Sequence, residues 1–223
     1  MTCAHSAFGL ETGMRIVSVV SLHVMAALLC LVLGGCAVTY DVAIDSLREG
    51  EAAGSCFLAP DPALEVGEDD LLFREVCSLV TPALDAQGMP VAASRKEAAQ
   101  EVLLRYGMDE PTTVLRQWTY PDYQTVFYHG RAFTVRVERT EWSVQTRYHA
   151  RLVLTARRLK DGRPGRQTWR TEMVVSGGVD DLRKLLRMGI PALRQVVASR
   201  TSGICRFEVA EARDGELTVS SGE

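Results

Sequence analysis

The sequence predicts an α+β protein: a mixed, mainly antiparallel sheet with two helices packed on one face, preceded by a cleaved signal peptide. Three observations carry that reading. Apolar residues alternate with polar ones along Phe133–Val137, Tyr148–Ala156 and Trp169–Val175, the period of two that strands impose. Along Asp69–Gln87 and again from Leu182 to Val197 they recur instead at three- and four-residue spacing, as on one side of a helix. A run without charge, Ile16–Leu33, stands apart near the N-terminus.

The apolar run is long enough to cross a bilayer as a helix. Its flanks favour a leader instead: Arg15 supplies the positive start, and the run ends in Gly34-Gly35 immediately before Cys36. Leu33-Gly34-Gly35-Cys36 resembles the lipobox of bacterial lipoproteins. That resemblance implies cleavage between Gly35 and Cys36 and transfer of a diacylglyceryl group to the Cys36 thiol. Two or more acyl chains hold a protein stably, at ~0.8 kcal/mol per buried methylene. Ala37 stands where an aspartate would argue for retention in the inner membrane, so the expected place is the outer membrane, lipid-anchored and facing the periplasm. Met1–Gly13 is neither basic nor apolar, and translation is expected to start at Met14. The expected divisions are therefore 1–13 upstream extension, 14–35 signal peptide, 36–52 lipidated segment, 53–200 α+β domain and 201–223 C-terminal hairpin or tail.

Composition fits an ordinary globular chain, with 47% hydrophobic and 24% charged residues. A formal net charge of -3 gives no support to nucleic-acid binding driven by counterion release.

The mature part reads as follows. Val38–Ser46 alternates in part and is expected to run extended away from the membrane. Gly54–Ala59 reads as a short buried strand closed by Pro60-Asp61-Pro62. The helix over Asp69–Gln87 carries Leu72, Phe73, Val76, Leu79, Val80, Ala83 and Leu84 on one stripe, with Pro82 inside it and Gly88 as its stop. Glu101–Tyr106 reads as a second buried strand, and Trp118–His129 as a loop rich in aromatics. The Lys160-Asp161-Gly162 turn leads into Gln167–Val175. Gly177-Gly178 ends that strand, Asp180 is the expected cap of the second helix, and Pro191 lies inside it. Ile204–Ala210 and Glu216–Val219 suggest a terminal hairpin across Arg213-Asp214-Gly215.

Four cysteines remain after cleavage, and with Cys36 acylated the other three cannot all pair. Cys56 and Cys77 sit in apolar surroundings and read as buried thiols; Cys56–Cys205 is the candidate disulfide. No CxxC pair is present, which argues against thiol-redox catalysis.

The order of these features resembles lipoproteins of Gram-negative bacteria classed as domain of unknown function 4136. The residues that carry it are the lipobox cysteine followed by Thr39-Tyr40-Asp41, a helix closed by Ala86-Gln87-Gly88, the strand EVLLRYG, the GRQTWR turn and the helix with an internal proline. The resemblance spans Ala37 to Ser199. Pro82 and Arg105 depart from it. It implies an envelope protein and no catalytic residue.

No motif for chemistry stands out. His129 and His149 lack the ligands at short spacing that a metal site needs, so no metal or cofactor is expected. Ser143, His149 and Asp122 can be drawn as a triad, but no GxSxG elbow supports it. Glu68-Asp69-Asp70 fits a helix N-terminus better than a cation site. The candidate binding surface is the aromatic run of Trp118, Tyr120, Tyr123, Phe127 and Tyr128 with Arg131, joined by Arg116 and Phe133, since aromatics and arginine dominate interface hot spots. The expected function is a lipid-anchored, non-enzymatic module for an envelope protein partner. The alternative is a small-ligand or enzymatic domain with a pocket between sheet and helices.

Overall fold

The computed structural model describes residues 38–49 and 54–222. The leader and Cys36 lie outside them. A seven-stranded sheet runs β1 (Val38–Arg48), β2 (Cys56–Pro60), β3 (Gln100–Tyr128), β4 (Arg131–Lys160), β5 (Arg163–Gly177), β6 (Cys205–Glu211) and β7 (Leu217–Ser221) along the chain. Across the sheet the order is β2-β3-β4-β5-β1-β6-β7. Among the described strands β2 and β3 pair in parallel and the other pairs are antiparallel. Helices α1 (Leu71–Ala86) and α2 (Leu182–Val196) form the β2-to-β3 and β5-to-β6 connections. They pack side by side on one face, where Gln87 Nε2 donates to the Arg194 carbonyl at 2.9 Å. The α+β architecture is the one the alternation and the two stripes predict.

Strand period explains which side chains fill the layer between sheet and helices. Tyr40, Val42, Ile44 and Ser46 point inward from β1, Trp169, Thr171, Met173 and Val175 from β5, and Ala150, Leu152, Leu154 and Ala156 from β4. Against them lie Val76, Val80, Ala83 and Leu84 of α1 and Leu185, Leu186, Ala192 and Leu193 of α2. Among the described residues the buried polar side chains of this layer find partners, apart from Gln100 Nε2. Trp169 Nε1 donates to Gln100 Oε1 at 3.1 Å, and the Ser46 and Thr171 hydroxyls meet at 2.7 Å.

Helix ends follow capping chemistry. Asp70 caps α1, accepting from the Phe73 amide at 2.8 Å, which gives the acidic triplet a structural role. The second cap is Asp181 rather than Asp180: its carboxylate accepts from the amides of Arg183 and Lys184, one register later than the sequence suggested. Pro82 is exposed, so its missing N–H leaves a carbonyl that water can satisfy.

Three expectations need correction. The segment from Val38 is no free lead-out from an anchor; β1 lies between β5 and β6 inside the sheet. The terminal hairpin forms as expected, but it joins the same sheet through β6, so strands from 36–52, 53–200 and 201–223 belong to one sheet rather than to separate parts. Cys56 and Cys205 lie on β2 and β6, with four strands between them. At ~4.8 Å per strand that is roughly 24 Å, far beyond disulfide reach. Cys56, Cys77 and Cys205 are all free thiols, and Cys56 is fully buried.

Candidate functional site

β3 and β4 are far longer than their neighbours. β2 covers β3 only from Gln100 to Leu104, and β5 covers β4 only from Tyr148 onward. Beyond those points the two strands pair only with each other, from Thr112–Arg147 to Tyr128–Arg131. The result is a two-stranded arm. Thr113–Tyr128, at ~3.3 Å per residue, reaches roughly 50 Å.

A register shift between Asp109 and Thr112 marks the root of the arm, and Pro111 lies within it. Its tip is His129-Gly130, with φ of 48° and 71°. Two consecutive left-handed residues make the two-residue turn whose twist suits a hairpin. The Trp118–His129 segment, expected as a loop, is therefore strand almost to its end. Pro121 lies inside this strand, and an edge strand tolerates proline because its outer N–H needs no partner.

Strand alternation divides the candidate binding residues. Trp118, Tyr120 and Tyr128 share one face with Arg131, Phe133, Val135 and Val137; Tyr123 and Phe127 lie on the other. That second face also carries Leu115, Trp142 and Val144, which the sequence reading missed. Trp142 is 59% exposed and Phe127 77%. The only sequence signal for Trp142 was its alternation with Glu141 and Ser143.

The middle of the arm is polar and internally bonded. Tyr120 Oη donates to Glu141 Oε1 at 2.7 Å, and this bond raises the phenol above its ordinary pKa. Arg139 lies 3.8 Å from Asp122 and 4.0 Å from Glu141. The Tyr128 ring meets His129 edge-on, with centroids 4.3 Å apart.

At the root, on the helix-free face, a cleft of about 450 Å³ opens between the arm and β1. Arg147 and Asp41 pair across it at 2.5 Å. His149 Nδ1 shares a hydrogen with Ser176 Oγ at 2.7 Å and Nε2 with Thr112 Oγ1 at 2.8 Å. Both ring nitrogens are thus occupied within the fold. Ser143 and Asp122 stand out along the arm, opposite Arg116 and Val137, so the triad drawn from sequence is not assembled. The layer between sheet and helices, where the alternative reading places a ligand pocket, is filled by Tyr40, Ile44, Leu104, Leu152, Met173 and Leu186.

Among the described residues no group of three or more His, Cys, Asp or Glu side chains is placed to hold a metal ion. No described helix is long and apolar enough to cross a membrane.

No family model matches the chain. No curated protein matches it either. Among solved structures, a PDZ domain protein from Parabacteroides distasonis aligns with 78% of this chain at 14% identity and a TM-score of 0.41. This chain spans 40% of that protein's length. A likeness at that level carries no functional argument.

Proposed function

We propose that this chain is a lipid-anchored, non-enzymatic protein of the outer membrane, held through Cys36 and facing the periplasm, whose hairpin arm docks an envelope protein. The observation that carries the docking role is the arm itself. A two-stranded ribbon is marginally stable alone in water, yet this one extends roughly 50 Å with Trp118 and Trp142 exposed. Aromatic residues of this kind bury large area with few rotors, which is how binding hot spots work. The lipobox ending in Cys36 supports the anchor.

Two measurements test the two halves separately. Mass analysis of the mature N-terminus is expected to find an acylated Cys36; an unmodified and uncleaved terminus overturns the anchor. For docking, Trp118→Ala combined with Trp142→Ala is expected to hold the melting temperature within about 2 °C, since both side chains are exposed and exposed positions matter little to stability. The same pair should remove the crosslinked envelope protein seen with the wild type in intact cells. Unchanged crosslinking overturns the docking role.

A further inference from the structure

The end of the arm differs from its middle. From Tyr123 to Val137 the chain carries no acidic residue, whereas Arg131, Arg136 and His129 all lie there. Apolar side chains cover both faces of this tip: Tyr123 and Phe127 on one, Val126, Tyr128, Phe133 and Val135 on the other. All are well exposed, Tyr123 at 66%. A flat protein surface would bury only one of those faces. A layer of lipid headgroups surrounds an inserted tip on all sides, and basic side chains with no carboxylate among them suit anionic lipid.

Chain direction places that lipid. β1 begins at Val38, and its Asp41 sits beside Ser176 in register and pairs with Arg147 at the root of the arm. The N-terminal end of β1 and the outgoing arm therefore leave the sheet at the same end. Only Ala37 separates Val38 from Cys36. We propose that the arm tip, Tyr123–Val137, seats in the headgroup layer of the bilayer that holds the Cys36 anchor. This inference rests on the anchor reading and adds a second point of attachment to it.

Depth is limited by the backbone. Both edges of the arm present unpaired N–H and C=O groups, which the hydrocarbon core cannot satisfy but the hydrated headgroup zone can. Charges at Arg116, Asp122, Arg139 and Glu141 keep the middle of the arm out as well. The arm accordingly runs along the surface, with tyrosines at the depth where interfacial aromatics collect.

The test uses acylated full-length protein, its Cys36 modification confirmed by mass, in vesicles of phosphatidylethanolamine and phosphatidylglycerol. p-Benzoylphenylalanine replaces Phe127, Phe133 or, in the β4–β5 turn at the opposite end of the sheet, Arg163. Illumination is expected to give lipid adducts at 127 and 133 and none at 163. Arg131→Glu with Arg136→Glu should lower the adduct yield at 127 by roughly tenfold. Adducts to a second protein chain, equal yields at all three sites, or no adducts despite an acylated Cys36 overturn the tip insertion. An unmodified Cys36 overturns the anchor instead, and the two failures are thereby told apart.

Discussion

Gly189 of α2 rests directly on Val175 of β5: a methyl group built on Gly189 would stand 2.6 Å from Val175 Cγ2. The same methyl would meet Met173 Sδ at 2.6 Å. Glycine is used here for closeness, because the helix must come down onto the sheet to bury Leu185, Leu186 and Leu193.

Gly189→Ala should therefore destabilise the fold, although alanine favours helix. Methionine can swing aside, but the β-branched valine is stiff, and overpacking of this kind costs about 1–3 kcal/mol. In a domain of this size each kcal/mol lowers the melting temperature by about 2–4 °C. A thermal melt followed by circular dichroism checks it; a melting temperature equal to or above wild type would show that α2 has room to spare.

A second prediction concerns the hydroxyl pair beneath α2. Thr171 Oγ1 meets Ser46 Oγ and accepts from the Ala198 amide at 3.1 Å, all away from water. Thr171→Val keeps the shape but strands that amide, which costs about 1–3 kcal/mol. Ser46→Ala removes the Ser46 partner, while Thr171 still receives the amide and should cost less. Because the two share one network, denaturant unfolding of the double variant is expected to show less than the sum of the single losses.

How much of this was legible follows burial. β1, β4, β5 and both helices each bury one side, so Tyr40 to Ser46 and Trp169 to Val175 print their alternation in the sequence. The outer arm buries neither side. Without a covered face alternation is not enforced: Phe133, Val135 and Val137 still show it, but the facing Trp118–His129 segment does not, so it looked like a loop and its His129-Gly130 turn passed unnoticed. Partner choice across the sheet is equally silent: nothing local in Val38–Arg48 says that it fits between β5 and β6. That same non-local ordering separates Cys56 from Cys205.

The thiols give a third prediction. Burial, reinforced by the charge of Asp85, pushes Cys56 up to about 12, and burial together with Glu68 pushes Cys77 to about 11. Thiolate is the reactive form, so at pH 8 the folded protein should react with iodoacetamide at the partly exposed Cys205 and leave Cys56 untouched. Cys56, fully buried, and Cys77, only half-buried rather than buried as its apolar surroundings suggested, both ionise later in the folded chain than in the unfolded one, where the pKa is near 9.0. The stability they contribute is intact below that pH and is lost as pH climbs towards their folded values. Peptide mass mapping after alkylation checks reactivity, and Cys56→Ala should flatten the alkaline decline in melting temperature. Fast native labelling of Cys56 would contradict its burial.

The last prediction separates arm from body. Residues of the arm pair with one neighbouring strand only, whereas Val102, Leu104, Leu152 and Leu154 are held by strands on both sides and covered by the layer beneath the helices. Local opening free energy falls where few buried contacts oppose it. In hydrogen exchange of the protein free of membrane, amides in Thr113–Tyr128 and Arg131–Thr146 should exchange at least about tenfold faster than those near Leu104 and Leu154, a gap of ~1.4 kcal/mol in opening free energy. Replacing Thr113–Thr146 by Asn-Gly joins Thr112 to Arg147 through a two-residue turn and keeps the His149 bonds at the root. That shortened chain is expected to melt within about 4 °C of the full one, because the deleted side chains contribute little to the core. A collapse of the body on shortening, or equal exchange in arm and core, would mean that the arm stabilises the sheet rather than reaching away from it.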